Sequence, residues 1–168
     1  MGKFEMILVS ALCLVSLLGA VSCQKDKDKF FVEGKVYCDT CRIQFFTKVS
    51  KFLEGATVKL ECKDREGGSV TLSKEGVTDK TGKYSIEADG DHEEEVCEVA
   101  LVKSTDPDCN EKSEEGYGHK ARVSITGNVG IIDPVRHANP LGFMKKEKLP
   151  ECKEVLRELG FDDEGNPV

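Results

Sequence analysis

Cysteine pairing is the constraint that most narrows what this chain can fold into. Cys38 and Cys41 stand two residues apart in the block Glu33-Gly34-Lys35-Val36-Tyr37-Cys38-Asp39-Thr40-Cys41-Arg42, and Cys13, Cys23, Cys62, Cys97, Cys109 and Cys152 are scattered along the remaining sequence. In a reducing compartment a Cys-x-x-Cys pair suggests metal or redox chemistry; in an exported chain it suggests a disulfide framework. The compartment is written in residues 1–23. Lys3 gives a weakly positive start, diluted by Glu5, and Met6 to Ala20 is almost wholly apolar. Small residues follow at Ala20, Ser22 and Cys23, and then the polar stretch Gln24 to Lys29. An apolar run of this length suits a secretory signal and is too short for a membrane span. Residues 1–23 are therefore read as a signal peptide, and the mature protein as secreted into the extracellular space.

Cleavage after Cys23 leaves an even number of cysteines; cleavage after Ala20 or Ser22 leaves one unpaired thiol in an oxidising compartment. The first is expected. Acylation of Cys23 as a bacterial lipoprotein is the rival, and Ala20 stands where a larger aliphatic residue is usual. Residues 24–168 suffice for one domain with a modest core. They divide into a polar linker (24–29), a β domain (30–160) and a mobile tail (161–168). The net charge is −7, and losing one Lys and one Glu with the signal leaves it unchanged. An acidic domain does not attract a phosphate backbone, so no nucleic-acid partner is expected.

The body reads as β structure. Ala56, Val58, Leu60 and Cys62 alternate with Thr57, Lys59 and Glu61, the period of a half-buried strand with Cys62 inward. Val32, Gly34, Val36 and Cys38 keep the same period, as do Tyr84, Ile86 and Ala88; Cys97, Val99 and Leu101; and Ala121, Val123 and Ile125. Val70 and Leu72 suggest a shorter strand, and Val129 to Ile132 a last one. Turn residues separate them at Glu66-Gly67-Gly68, Asp79-Lys80-Thr81-Gly82 and Asp89-Gly90-Asp91. About seven short strands at this spacing predict a mainly β fold, a small antiparallel β-barrel or sandwich. One short C-terminal helix follows: Cys152, Val155, Leu156 and Leu159 share a face, Pro150 suits its first turn and Gly160 its end.

Chemistry beyond pairing is scarce. Zinc needs a second ligand pair at metal spacing, and the other cysteines and His92, His119 and His137 are isolated in sequence. A thioredoxin-like site would place its cysteines at the start of a helix after a parallel strand. Neither a Gly-x-Ser-x-Gly elbow nor a His-Glu-x-x-His helix occurs. The run Asp89 to Glu95 lacks the ligand spacing of an EF-hand and reads as a solvated loop with His92 exposed. Tyr117 reads as a packed loop aromatic. No catalytic residue, metal site or cofactor is expected.

The block Glu33-Gly34-x-Val36-Tyr37-Cys38-Asp39-Thr40-Cys41-Arg42 resembles the signature of the Ole e 1-like pollen protein family of plants. Gly55-Ala56-Thr57-Val58, Thr78-Asp79-x-x-Gly82-x-Tyr84 and Asn139-Pro140-Leu141-Gly142-Phe143 support the resemblance, which covers about residues 30–160. Spacing alone does not choose among the pairings that six cysteines permit. The resemblance implies three disulfides, Cys38–Cys109, Cys41–Cys152 and Cys62–Cys97, on a small β-barrel or sandwich. It further implies a non-enzymatic extracellular protein that acts by binding, as a ligand of receptor-kinase ectodomains or as a cell-wall component, in pollen-tube or tissue growth, with some members allergens. A small protease inhibitor or carbohydrate-binding module is the alternative. Many members carry a glycosylation sequon near the signature; this chain has none. Non-reduced peptide mapping of the secreted protein is expected to recover the three linkages, and free thiol at Cys38 and Cys41 would overturn a structural role for them.

Overall fold

The computed structural model describes residues 28–66, 68–114, 118–162 and 165–168; the signal peptide, most of the polar linker and Tyr117 lie outside them. The strands are β1 (Lys29–Asp39), β2 (Lys51–Phe52), β3 (Thr57–Asp64), β4 (Val70–Val77), β5 (Lys83–Asp89), β6 (Glu95–Lys103), β7 (Cys109–Glu111), β8 (Lys120–Val123), β9 (Val135–His137) and β10 (Leu141–Lys145), followed by the helix α1 (Cys152–Glu158). They form two sheets packed as a sandwich rather than a closed barrel. One is four-stranded in the order β4-β3-β6-β8, and the other is built around β1.

β1 is the organiser. Its first half pairs antiparallel with β5 and parallel with β9, and its second half antiparallel with β2 and parallel with β10. The sheet is therefore not purely antiparallel, because β9 and β10 reach β1 only after the chain has built the opposite sheet. Alternation holds where one face is wet: Val58, Leu60 and Cys62 of β3, Tyr84, Ile86 and Ala88 of β5, and Cys97, Val99 and Leu101 of β6 are all buried. It fails where both faces are covered. Val36, Tyr37, Cys38 and Asp39 are consecutive and all buried, as are Leu141, Gly142 and Phe143 beside them. Two-sided burial erases the period-2 signal, which is why β10 is not visible as an alternating strand.

Three expectations are corrected. Val129 to Ile132 is a loop rather than a strand, and Ile132 stands fully in solvent. Val70 and Leu72 open a full-length strand, β4, whose outer edge is free, so its side chains are mostly exposed or half-buried. In the helix, Cys152, Val155 and Leu156 are buried, but Leu159 is 49% exposed, because the helix ends at Glu158 and Leu159 is its C-cap. Gly160 follows at φ +80°, the left-handed position that terminates a helix. Beyond it the tail, for which the sequence offers no packing pattern, makes a bridge from Phe161 to Pro167, and Asn166 N–H donates to Asp162 Oδ1 at 2.8 Å. Among the described residues no helix is long and apolar enough to cross a membrane.

A helix this short does not persist in water alone; it is held by Val155 and Leu156 in the interior and by Cys152. Comparing residues 24–149 with 24–168, both expressed for export, is expected to show lower secretion and a lower melting temperature for the shorter chain, with disulfide-linked dimers formed through the orphaned Cys41. Equal melting temperatures and a purely monomeric product would show that the helix is dispensable.

Candidate functional site

The block 33–42 lies along the second half of β1 and the turn after it, and the other three resembling segments close around it. Leu141 to Phe143 of β10 run beside Val36 to Cys38 in parallel register. Tyr37 lies over Gly142, where an added Cβ would come within 2.7 Å of the ring, so that position must be glycine. Gly34 plays the same part for Tyr84, whose hydroxyl would meet a Cβ at 2.3 Å. The Asp79 carboxylate accepts from Thr81 N–H at 2.7 Å, Thr81 Oγ1 at 2.7 Å and Lys83 N–H at 3.0 Å. Those bonds to the anion hold its carboxyl below the usual carboxylate range. The turn they shape carries Gly82 against Val36, whose N–H donates to the Gly82 carbonyl at 2.8 Å. Thr78 Oγ1 donates to the Leu53 carbonyl at 2.6 Å and accepts from Ala56 N–H at 2.9 Å, joining the Gly55-Ala56 segment to the same node.

Three disulfides frame the node. Cys38 is bonded to Cys109, Cys41 to Cys152 and Cys62 to Cys97. Cys62 and Cys97 sit directly opposite each other on β3 and β6. Asp39, between the two cysteines of the block, is fully buried and organises the turn. Cys41 and Arg42 N–H donate to its Oδ1 at 3.2 and 2.8 Å, and Gln44 N–H donates to its Oδ2 at 2.7 Å. These bonds offset the left-handed backbone of Arg42 (φ 59°) and Gln44 (φ 62°), a conformation that costs a non-glycine residue about 1 kcal/mol or more. Burial pushes the Asp39 carboxyl above its ordinary range, and the backbone N–H bonds pull it partly back. Arg42 Nη1 donates to Glu111 Oε2 and to the Lys145 carbonyl, each at 2.6 Å, tying the turn to β7 and β10.

Several ionisable groups in and beside the block are engaged with neighbours or buried. Glu33 is bound to Lys83 at 2.7 Å, and burial pushes the Tyr37 phenol well above its ordinary pKa. Near the other bridge, Cys62, Cys97, His92 and Glu95 bring ligand atoms within 4.8 Å of one another, with the two sulfurs bonded to each other rather than free as thiolates. His92 corrects the reading of an exposed residue: its side chain is 9% exposed, and Nδ1 lies 2.8 Å from Glu95 Oε2. The loop folds it inward because Glu95, opening β6, supplies a polar partner that the acidic run does not advertise.

Three phenylalanines next to the block are a feature that sequence reasoning missed. Phe46 and Phe52 stack with ring centroids 5.0 Å apart, and Phe46 meets Tyr37 edge-on at 5.4 Å. Phe45 turns the other way, onto Phe161 of the tail. The signal available was the Phe45-Phe46 pair in a lysine-rich stretch outside any alternating pattern.

A sandwich of this topology, locked by three bridges and carrying this block, defines a disulfide-framed β domain. Residues 28–160 match the family described as Pollen protein Ole e 1 like, and the chain belongs to that family. It is 56% identical over 163 residues to the Olee1-like protein of Betula pendula, spanning 96% of each chain. It is 50% identical over 166 residues to Pollen allergen Cro s 1 of Crocus sativus, covering 97% of this chain and 98% of that one. The crystal structure of the major plantain pollen allergen Pla l 1 superposes with a TM-score of 0.66 at 39% identity, over 74% of this chain and 99% of that one.

Asp39→Asn is expected to cost about 1–3 kcal/mol at neutral pH, because one amide N–H of the new side chain must face the Gln44 or the Cys41 and Arg42 N–H groups. The folded pKa of Asp39 is raised, so its contribution to stability is full below the unfolded value near 3.8 and is lost as pH rises through the folded value. The wild type alone therefore gains as pH falls, and the deficit of the variant should widen in acid. Urea unfolding of both proteins between about pH 3 and pH 7 reads this; a deficit that shrinks in acid would contradict it.

Proposed function

We propose that this is a secreted, non-enzymatic pollen protein that acts by binding, as an extracellular ligand of a receptor-kinase ectodomain in pollen-tube or tissue growth, and that it is an allergen like the relatives named as such. The observation that carries the reading is the disulfide framework: Cys38, Cys41, Cys62, Cys97, Cys109 and Cys152 are all buried and bonded in pairs, in elements far apart in sequence. Such a framework forms and persists in an oxidising compartment, and the apolar N-terminal run supplies the route there. Its product is a rigid surface, and a rigid surface loses little conformational entropy on binding. The allergen names and the pollen family support the tissue assignment.

Biolayer interferometry of immobilised mature protein against recombinant pollen receptor-kinase ectodomains, extracellular proteases and wall polysaccharides tests the role. Saturable binding to an ectodomain is expected, without protease inhibition. Selective binding of polysaccharide, or inhibition of a protease, would replace the ligand reading with the module or inhibitor reading. Loss of ectodomain binding after mild reduction with unchanged solubility is expected as well, because the recognised shape depends on the bridges. IgE of pollen-sensitised sera should likewise bind the oxidised protein better than the reduced one.

A further inference from the structure

We propose that the Phe46–Phe52 stack, with Lys35 and Lys51 at its margin, is the docking surface for an acidic polypeptide segment bearing apolar side chains, presented by the extracellular partner. The inference rests on the binding role proposed above and names the surface through which it acts. Phe46 is 45% exposed and Phe52 41% exposed, yet their positions are fixed from below. Phe46 leans on Tyr37, and Tyr37 is itself trapped over Gly142. Phe52 leans on Gly82, whose Cβ, if present, would come within 2.8 Å of the Phe52 side chain. Rigid, half-exposed aromatics over a packed floor are what binding hot spots are made of, since little freedom remains to be lost.

Charge selects the partner. The chain carries −7 overall, but the margin of the stack is cationic. Lys35 Nζ lies 4.6 Å from the Phe52 ring centroid, and Lys51 precedes Phe52 on the exposed strand β2. The nearby carboxylates are engaged elsewhere: Glu33 with Lys83, Glu158 with Lys48, and Asp79 with its own turn. Glu54, beyond Leu53, is the exception. Among the described residues no carboxylate pairs with Lys35 or Lys51. A cationic margin attracts acidic groups and repels the same face of a second copy, which disfavours a two-fold dimer through this patch. Two features favour polypeptide over an acidic polysaccharide. Phenyl rings offer no hydrogen bond to sugar hydroxyls, and β2 is the last strand of its sheet, leaving main-chain groups open to an extended peptide.

The test is fluorescence anisotropy of a labelled synthetic peptide of ~12 residues, alternating Asp or Glu with Phe or Leu, against the full mature protein. Comparators are the same peptide with Lys at the acidic positions, and polygalacturonate as competitor. Saturable binding of the acidic peptide is expected, weakening with added salt. Phe46→Ala/Phe52→Ala should lower affinity at least about tenfold, and Lys35→Glu/Lys51→Glu, which leaves the stack intact, should abolish acidic-peptide binding and admit the basic one. The charge-reversal pair keeps the question open to decision should the alanine pair fail to fold. Unchanged affinity in the charge-reversal pair, equal binding of both peptides, full competition by polygalacturonate, or no binding at all would overturn the proposal. An ectodomain that binds wild type and Phe46→Ala/Phe52→Ala equally sinks the surface and leaves the ligand role standing; peptide binding with no ectodomain bound does the reverse.

Discussion

The two disulfides that leave the Cys38–Cys41 turn hold the rest of this molecule in place. One runs to Cys109 across a sequence separation of 71 and the other to Cys152 across 111. In the chain-entropy model loops of that length each disfavour the unfolded chain by about 4–5 kcal/mol, less where loops overlap. That is comparable with the whole net stability of a typical domain, about 5–15 kcal/mol. The bridges also do something entropy alone does not. They bring β7 and α1, too short to be stable by themselves, to the end of β1 where β10 docks.

Around that anchor, each resembling segment has a separate physical task. Gly142 and Gly34 make room for the rings of Tyr37 and Tyr84. Asp79 shapes the turn that carries Gly82 against Val36, and Thr78 bonds both Leu53 and Ala56. Asp39 accepts the backbone N–H groups of a turn that passes through two left-handed non-glycine residues. The block is thus heavily engaged with its own surroundings. Its outward contribution is the rigidity it gives to neighbours such as Phe46, whose own ring is half in water.

The Phe46–Phe52 stack has a packed floor and a half-exposed upper face. Two ionisable groups of the block are used in structure: the buried Asp39 carboxyl in turn closure, and the half-buried Arg42 in ties to Glu111 and Lys145. His92, near the third bridge, is likewise packed and paired with Glu95. Among the described residues, Lys35 and Lys51 beside Phe52 have no ion-pair partner.

The half-wet strands and the cysteine-rich character that the disulfides bear out were readable from the residues alone. Alternation survives in a single sequence wherever one face meets the core and the other meets water, so β3, β5 and β6 were legible in Val58-x-Leu60-x-Cys62, Tyr84-x-Ile86-x-Ala88 and Cys97-x-Val99-x-Leu101. The end of α1 was legible in Gly160, although Leu159 on the apolar stripe proved to lie past the last turn. The remaining elements depend on long-range contacts. β10 and the second half of β1 bury consecutive residues because both faces are covered, which removes the period. β2, β7 and β9 span two or three residues, too short to carry a pattern. The Phe46–Phe52 stack joins side chains from a turn and an edge strand, and no local rule specifies that meeting. It follows from where Tyr37, Gly142 and Gly82 place them, and those positions are set by contacts between segments as much as a hundred residues apart.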